Sequence, residues 1–163
     1  MTIYSVPPTV EPIDKILPDE PLLLMGAGPV PVQSKVAAAN SMVIHHLGDA
    51  MSQVVSQVKR LARYVFQTNS PYVFGVSGPG SAAMEMAITN LVWPGRRVLS
   101  IKNGYFSSRF EEMASRVGGL TTVLEAPENH YIDADVVEAA LKKALDDNQA
   151  FDVITIVQGE TSN

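Results

Sequence analysis

The segment SGPGSAAME, residues 77–85, places glycine and serine where an apolar run gives way to a helical pattern. Gly78 and Gly80 allow the backbone to approach a ligand closely, and Ser81 adds a hydroxyl donor. Free N–H groups at a helix start, with the positive end of the helix dipole, bind anions. The segment is not a P-loop, because no Lys-Ser/Thr pair follows, and it is not a dinucleotide fingerprint, because Ala83 stands where a third glycine would be. It predicts a phosphate site, with ordinary strand-to-helix punctuation as the alternative.

Two further polar segments follow later strands. KNGYFSSRF, residues 102–110, presents Tyr105 and Phe106, on which a flat ligand could stack, although either ring could instead pack against the helix start. QGETSN, residues 158–163, follows the last strand. Because ligands of open α/β sheets bind beyond the carboxyl ends of the strands, we expect the three segments to converge. A phosphorylated aromatic cofactor fits the set better than a nucleotide or a sugar phosphate.

Hydrophobic periodicity predicts the elements that position these segments. Apolar residues recurring at three and four positions predict helices at 49–67, at 82–92, within 103–119 and at 133–148. Apolar runs predict strands at 72–77, 97–102, 120–127 and 151–157, with a further short strand from residue 22; the run at 151–157 suits the buried centre of a sheet. The alternation predicts an α/β fold with a mainly parallel sheet and flanking helices.

Composition narrows the class of protein. With 163 residues, 46% of them hydrophobic, the chain can bury one core, and we expect an irregular proline-rich arm at 1–21 before an α/β domain at 22–163. A net charge of −5 gives no reason to expect nucleic acid or an anionic membrane as partner. There is no cysteine, and His45-His46 has no metal-ligand partner nearby, so no metal site is predicted. The start of the chain is unlike a secretory signal, and we expect a soluble, cytoplasmic protein.

Taken together, GAGPVPV, the stretch from YVFQTNSPYVFGVSGPGSAAMEM to KNGYFSSRF, and QGETSN resemble the class V aminotransferases, in the order and spacing of that family. These are fold-type I enzymes that depend on pyridoxal 5′-phosphate (PLP), and the likeness is strongest to the alanine/serine–glyoxylate aminotransferases. It runs from about residue 22 to residue 163, whereas members of the family are far longer. The resemblance therefore implies an incomplete PLP-binding large domain, the N-terminal portion of such an enzyme.

The resemblance assigns seven residues to the cofactor and substrate pockets. Three form the phosphate loop, one stacks on the pyridine ring, one lies near the phenolic oxygen of that ring, and two approach the substrate carboxylate. In that order they are Pro79, Gly80 and Ser81; Phe106; Thr161; and Ala27 and Gly28. Two of them depart from the family pattern: Pro79 lacks a backbone donor, and Ala27 replaces a common proline.

The lysine that forms the Schiff base in this family, and the aspartate that pairs with the pyridine nitrogen, lie on strands beyond the QGETS strand. None of the six lysines here has that context; they are Lys15, Lys35, Lys59, Lys102, Lys142 and Lys143. Lys102 lies next to the aromatic turn, where we expect it to cap a strand end. No catalytic residue is assigned in this chain, and the 163 residues alone are not expected to be active.

The leading hypothesis is a PLP-dependent aminotransferase that transfers an amino group from alanine, serine or a similar small amino acid to glyoxylate or a similar 2-oxo acid. The alternative is a catalytically inert α/β fragment or phosphate-ligand-binding module; a phosphosugar or nucleotide binder is a weaker one. A strand at 151–157 with a bare edge would be a liability, so we expect a homo-oligomer or further chain over that edge. The resemblance independently implies a homodimer.

Overall fold

A computed structural model of the chain describes residues 9–26, 28–127 and 129–162. It contains, in chain order, a 3₁₀ helix Ile13–Lys15, α1 Ser34–Asn40, α2 Asp49–Val65, α3 Gly80–Leu91, β1 Arg97–Lys102, α4 Tyr105–Arg116, β2 Leu120–Glu125, α5 Ala134–Asp146 and β3 Val153–Thr155. The four predicted helices are therefore confirmed, and α1 is an addition.

The chain divides into two compact units, Met1–Met42 and Val43–Asn163. In the described residues of the first unit the 3₁₀ helix and α1 are the regular elements, and the short strand expected from residue 22 does not form. The second unit holds the sheet and the other helices. The predicted boundary between residues 21 and 22 stays a prediction.

The sheet has three parallel strands in the order β2-β1-β3. On one face α4 lies against β2, where the hydroxyls of Ser115 and Thr121 are 3.0 Å apart. On the other face α5 lies beside Thr122 and lines a cleft with it. Thr121 and Thr122 are successive strand residues and point to opposite faces, so α4 and α5 cover opposite faces of the sheet. Two crossovers of the same hand that step in opposite directions along the sheet place their helices in this way. The α/β fold class with a parallel sheet and flanking helices is confirmed.

The core lies around β1, which has a strand on each side and helices on both faces. Four consecutive residues of β1, Val98 to Ile101, are buried. The side chain of Val98 packs in one cluster with Ile88 and Val92 from the α3 side and with Ala114 of α4. Apolar residues suit a strand that is covered on both faces, and the one polar residue among the four, Ser100, has a partner because its hydroxyl oxygen accepts a hydrogen bond from Thr155 Oγ1 at 3.1 Å.

The prediction that the last apolar run forms the buried centre of the sheet is wrong. The run at 151–157 was expected to be the buried centre of the sheet, yet the strand covers Val153–Thr155 alone. Ile154 and Ile156 are 45% and 61% exposed. In the described part of the chain β3 pairs with β1 and with no second strand, so the backbone groups of its outer edge are bare. Val153 packs against the core, whereas Ile154 stays accessible.

The predicted strand at 72–77 is also wrong, because this segment forms no strand. What holds the chain before it is α2: Arg63 Nε donates to the carbonyl oxygen of Ser70 at 2.9 Å, and Arg63 Nη2 to that of Pro71 at 3.3 Å. The Lys59 ammonium lies 5.9 Å from the centre of the Phe74 ring. A strand exists only through a neighbouring strand, and the described residues supply none here.

Asp152 joins the start of β1 to the segment before β3. Its Oδ1 accepts a hydrogen bond from Arg96 Nη1 at 2.6 Å, and its Oδ2 accepts one from the backbone N–H of Arg97 at 2.9 Å. The Arg96 guanidinium also stacks over Trp93, 3.8 Å from the ring centre. The backbone hydrogen bond from Arg97, followed by the side-chain bond from Arg96, lowers the pKa of Asp152.

Replacing Asp152 by asparagine is expected to lower the melting temperature at neutral pH. Because the pKa of Asp152 is lower in the folded state, its stabilising effect is present above the unfolded pKa and is lost as pH falls through the folded value. The difference between native protein and variant should therefore close on acidification. Thermal unfolding from about pH 7 to about pH 3 measures it. The control is Glu112→Gln, which removes an exposed pairing with Arg116 one turn away; a pH-independent difference for Asp152→Asn would contradict the assignment.

Candidate functional site

α3 and α4 both begin at the carboxyl edge of the sheet. α4 follows the end of β1 after two residues. Glu85 from the first half of α3 and Arg109 from the first half of α4 line one cleft. At the other end Val92 lies so close to Gly119 that a Cβ on the glycine would be 2.8 Å from Val92 Cγ1. The two helices therefore run in the same direction, and both N-termini face the edge where ligands of such sheets bind.

The start of α4 is closed by residues from the segment after β3. The backbone N–H of Tyr105 donates to Ser162 Oγ at 2.7 Å. The N–H groups of Phe106 and Ser107 donate to the two carboxylate oxygens of Glu160, at 3.4 Å and 3.0 Å. Every N–H of the first helical residues, which a helix leaves unpaired, thus has an acceptor.

Glu160 stays ionised at this position for a clear physical reason. Partial burial tends to raise the pKa of its carboxyl group, but the hydrogen bonds from the Ser107 N–H, the Ser162 hydroxyl and the Phe106 N–H outweigh it. The net effect is a pKa below the ordinary value. The positive end of the α4 dipole favours the same charge state.

The start of α3 is open by comparison. Pro79 is its N-cap and makes no side-chain capping bond; its carbonyl oxygen accepts the N–H of Ala82 at 2.9 Å. Within residues 9–26, 28–127 and 129–162, nothing accepts a hydrogen bond from the N–H of Gly80 or Ser81. A Cβ on Gly80 would meet no atom of the described residues within 4 Å. Two free N–H groups and the Ser81 hydroxyl therefore offer donors to an anion.

Known proteins include relatives of this chain, although no protein-family profile matches it. Over 135 residues it is 38% identical to the alanine–glyoxylate aminotransferase of Mus musculus, covering 82% of this chain and 32% of that protein. The alanine–glyoxylate aminotransferase structure from Nostoc sp. superposes with a TM-score of 0.65 at 33% identity, covering 83% of this chain and 37% of that one. The chain is a relative of the class V aminotransferases.

A third comparison concerns the fold. Pyridoxamine–pyruvate aminotransferase from Mesorhizobium loti matches with a TM-score of 0.67 at 24% identity, covering 78% of this chain and 33% of that one. At this identity the match shows a shared fold. The chain spans about a third of the length of these relatives.

The residues assigned through the class V resemblance differ in what surrounds them. The Phe106 ring is half-buried and meets Tyr105 edge-on, with ring centres 5.3 Å apart. Thr161 is exposed and directly follows Glu160, so the α4 start and the QGETS segment are brought together as expected. Gly28 is an exposed residue of the Met1–Met42 unit. Ala27 lies outside the described residues. The roles of all seven residues stay predictions.

Lys102, the last residue of β1, forms an ion pair. Its Nζ lies 3.0 Å from Oε1 of Glu125, the residue opposite it on β2. Both line a cleft of about 330 Å³ beside the start of α4, together with Asn103. The Oδ1 atom of Asn103 is buried and has no hydrogen-bond partner in the described part of the chain, which makes it an unfilled acceptor next to the turn that carries Phe106.

Sequence reasoning missed Glu160. It took QGETSN as a polar strand end and assigned only the threonine. Capping patterns that can be recognised in a sequence lie within a few residues of the helix start, and none of them points to Glu160. The pairing was not visible because Glu160 and Ser107 are 53 residues apart.

Two other kinds of feature do not occur in the part of the chain that the structure describes. No helix there combines the length and the apolar character that crossing a bilayer would take. No group of three or more metal-ligating side chains is placed there to hold an ion.

Proposed function

We propose that the protein is a PLP-dependent aminotransferase and that this chain supplies its phosphate site and its stacking ring. The observation that carries the proposal is the contrast between the two helix starts: among the described residues the first N–H donors of α3 have no acceptor, whereas those of α4 are hydrogen-bonded. The homologues, among them alanine–glyoxylate aminotransferases, are PLP-dependent enzymes, which supports the choice of cofactor. The proposed substrates are a small amino acid of the alanine or serine type and glyoxylate or a similar 2-oxo acid.

The donor set at the start of α3 fits a phosphate group. The donors are the N–H groups of Gly80 and Ser81 and the hydroxyl of Ser81. Because Gly80 has no side chain, an anion can approach these donors closely. Bound PLP would supply an electron sink for the substrate amino acid. In this proposal Phe106 packs on the cofactor ring, Thr161 donates to its phenolic oxygen, and Ala27 and Gly28 approach the substrate carboxylate.

PLP binding tests the proposal. Ser81→Ala removes a donor to a charged phosphate and is expected to weaken PLP binding roughly 10- to 100-fold. Phe106→Ala should weaken it through loss of the stacking face. The matched control is Thr89→Ala, because the Thr89 hydroxyl donates to the Glu85 carbonyl oxygen one turn away within α3. Absorbance titration with PLP, and with pyridoxal as the ligand that lacks the phosphate, measures the effects.

Two outcomes would contradict the proposal. One is unchanged PLP affinity in both Ser81→Ala and Phe106→Ala. The other is equal affinity for PLP and pyridoxal in the native chain, since the phosphate is expected to provide most of the charged contacts.

The inert phosphate-binding module remains a second candidate, and the Lys102–Glu125 ion pair favours it. The Lys102 Nζ lies 3.0 Å from the Glu125 carboxylate, whereas an amine nucleophile must be directed at the substrate or cofactor. The candidate predicts PLP binding without turnover. Transfer of the amino group from alanine to glyoxylate by the 163-residue chain, followed as pyruvate formation, would refute it.

We also propose a homodimer and a cytoplasmic location. The outer edge of β3, which pairs with no strand among the described residues, supports self-association because a bare edge offers unpaired N–H and C=O groups. Light scattering coupled to size-exclusion chromatography should give twice the chain mass. A monomer at micromolar concentration would contradict the dimer, and cell fractionation checks the location.

A further inference from the structure

We infer that Glu160 is a positioning residue whose carboxylate serves as a built-in anion at the start of α4, where it fixes the turn that carries Phe106. The inference about the α4 start stands on contacts in this chain, and its consequence for the cofactor rests on the proposed function.

The contacts of Glu160 are those that a bound anion would make. Oε1 accepts from the Phe106 N–H at 3.4 Å and from the Ser162 hydroxyl at 2.8 Å. Oε2 accepts from the Ser107 N–H at 3.0 Å and from the Ser107 hydroxyl at 3.2 Å. Both oxygens are thus used in charge-assisted hydrogen bonds, which are about twice as strong as neutral ones.

Gly104 makes room for this carboxylate. A Cβ on Gly104 would lie 2.4 Å from Glu160 Cγ, 2.6 Å from its Cδ and 2.6 Å from Ser162 Oγ. No side chain larger than hydrogen fits while Glu160 occupies its place. Gly104, before α4, therefore leaves space for the Glu160 carboxylate. Gly80, which begins α3, has no neighbouring atom of the described residues at the corresponding position.

Two consequences follow for the site. The Phe106 N–H is tied to Glu160, so the backbone from which the ring projects is held to the segment that carries Thr161. The dipole of α4 is compensated by a carboxylate of the chain itself. An external phosphate is thereby directed to α3, whose first two N–H groups have no partner in the described structure.

Chemical rescue tests the inference without any cofactor. Glu160→Ala leaves a space of carboxylate shape, and amide hydrogen exchange at Phe106 and Ser107 is expected to become roughly 10- to 100-fold faster. Formate or acetate should slow the exchange again by refilling that space, whereas chloride at equal ionic strength should not. Glu160→Gln, which keeps one carbonyl acceptor, should give an intermediate rate. Glu112→Ala, which removes an exposed glutamate of the same helix, is the control and should change neither amide.

Unchanged exchange in Glu160→Ala overturns the inference, and so does a failure of formate to restore it in protein whose circular dichroism is native. If Glu160→Ala proves unfolded, the same comparison is made with Glu160→Gln, where native exchange rates would overturn the inference.

PLP affinity separates this inference from the proposed function. If Glu160→Ala binds PLP more weakly and formate restores the affinity, the result supports both the inference about Glu160 and the proposed function. If the native chain binds no PLP while the exchange and rescue results hold, the proposed function fails and the internal anion stands. If Glu160→Ala binds PLP as tightly as the native chain, Glu160 does not position Phe106 for a cofactor, and that part is overturned.

Discussion

Replacing Leu99 by alanine is expected to lower the free energy of unfolding by about 2–5 kcal/mol, the largest effect we expect of any single substitution in the sheet. Leu99 is fully buried at the centre of β1 and lies between Thr122 of β2 and Ile154 of β3. Truncating it removes apolar contacts and leaves a cavity that strands held on both sides cannot close. Urea denaturation followed by circular dichroism measures the loss.

Ile154→Ala is the matched control for Leu99→Ala. Ile154 is the register partner of Leu99 on the same face, has the same number of carbon atoms, and is 45% exposed. Its truncation should lower the free energy of unfolding by about 1–2 kcal/mol, since roughly half of the side chain is already in water. Equal losses in the two variants would show that the core is not centred on β1.

Replacing Gly104 by alanine is expected to displace Glu160 and to lower the free energy of unfolding by roughly 1–3 kcal/mol, the range for an overpacked site. The new Cβ would overlap the Glu160 side chain, which can swing away only by giving up its bonds to the start of α4. The exposed N–H groups of Phe106 and Ser107 should then exchange faster. Urea denaturation and amide exchange of the same variant measure both effects.

Gly80→Ala is the matched variant at the other helix start, and the opposite result is expected there. A Cβ at Gly80 would meet no atom within 4 Å in the parts of the chain that the structure describes. Alanine favours a helix over glycine by about 1 kcal/mol, so stability should hold or rise. PLP binding should weaken, because the methyl group lies where the phosphate would approach. Comparable stability of Gly104→Ala and Gly80→Ala would contradict the account of both helix starts.

The helices could be predicted because their signals are local. The period of apolar residues predicted 49–67, and α2 spans Asp49–Val65. The Gly118-Gly119 pair predicted the end of α4, which stops at Arg116. The start of α3 was predicted two residues late, at 82 rather than at Gly80, because glycine and serine are weaker helix formers than alanine and the apolar pattern begins only at Ala82. That shift matters, since it makes the predicted phosphate residues the free end of the helix.

The strands were predicted less well because a strand depends on its neighbours. β1 has the predicted bounds, 97–102, and is flanked on both sides. The runs at 72–77 and 151–157 are also apolar. The first forms no strand, and the second forms a strand of only three residues. Their composition is that of strands, but hydrogen bonds to an adjacent strand are a property of the sheet.

The sequence alone determined the fold class, the order of the elements, the relationship to class V aminotransferases and the donor-rich start of α3. Those features depend on neighbouring residues, on periodicity and on motif order, all of which can be read along a chain. Only the tertiary structure decided that Glu160 closes the start of α4, that Gly104 makes room for it, and that Lys102 pairs with Glu125. Each of these joins residues from different strands or loops, and such contacts exist only once the parallel sheet has brought its carboxyl ends to one edge.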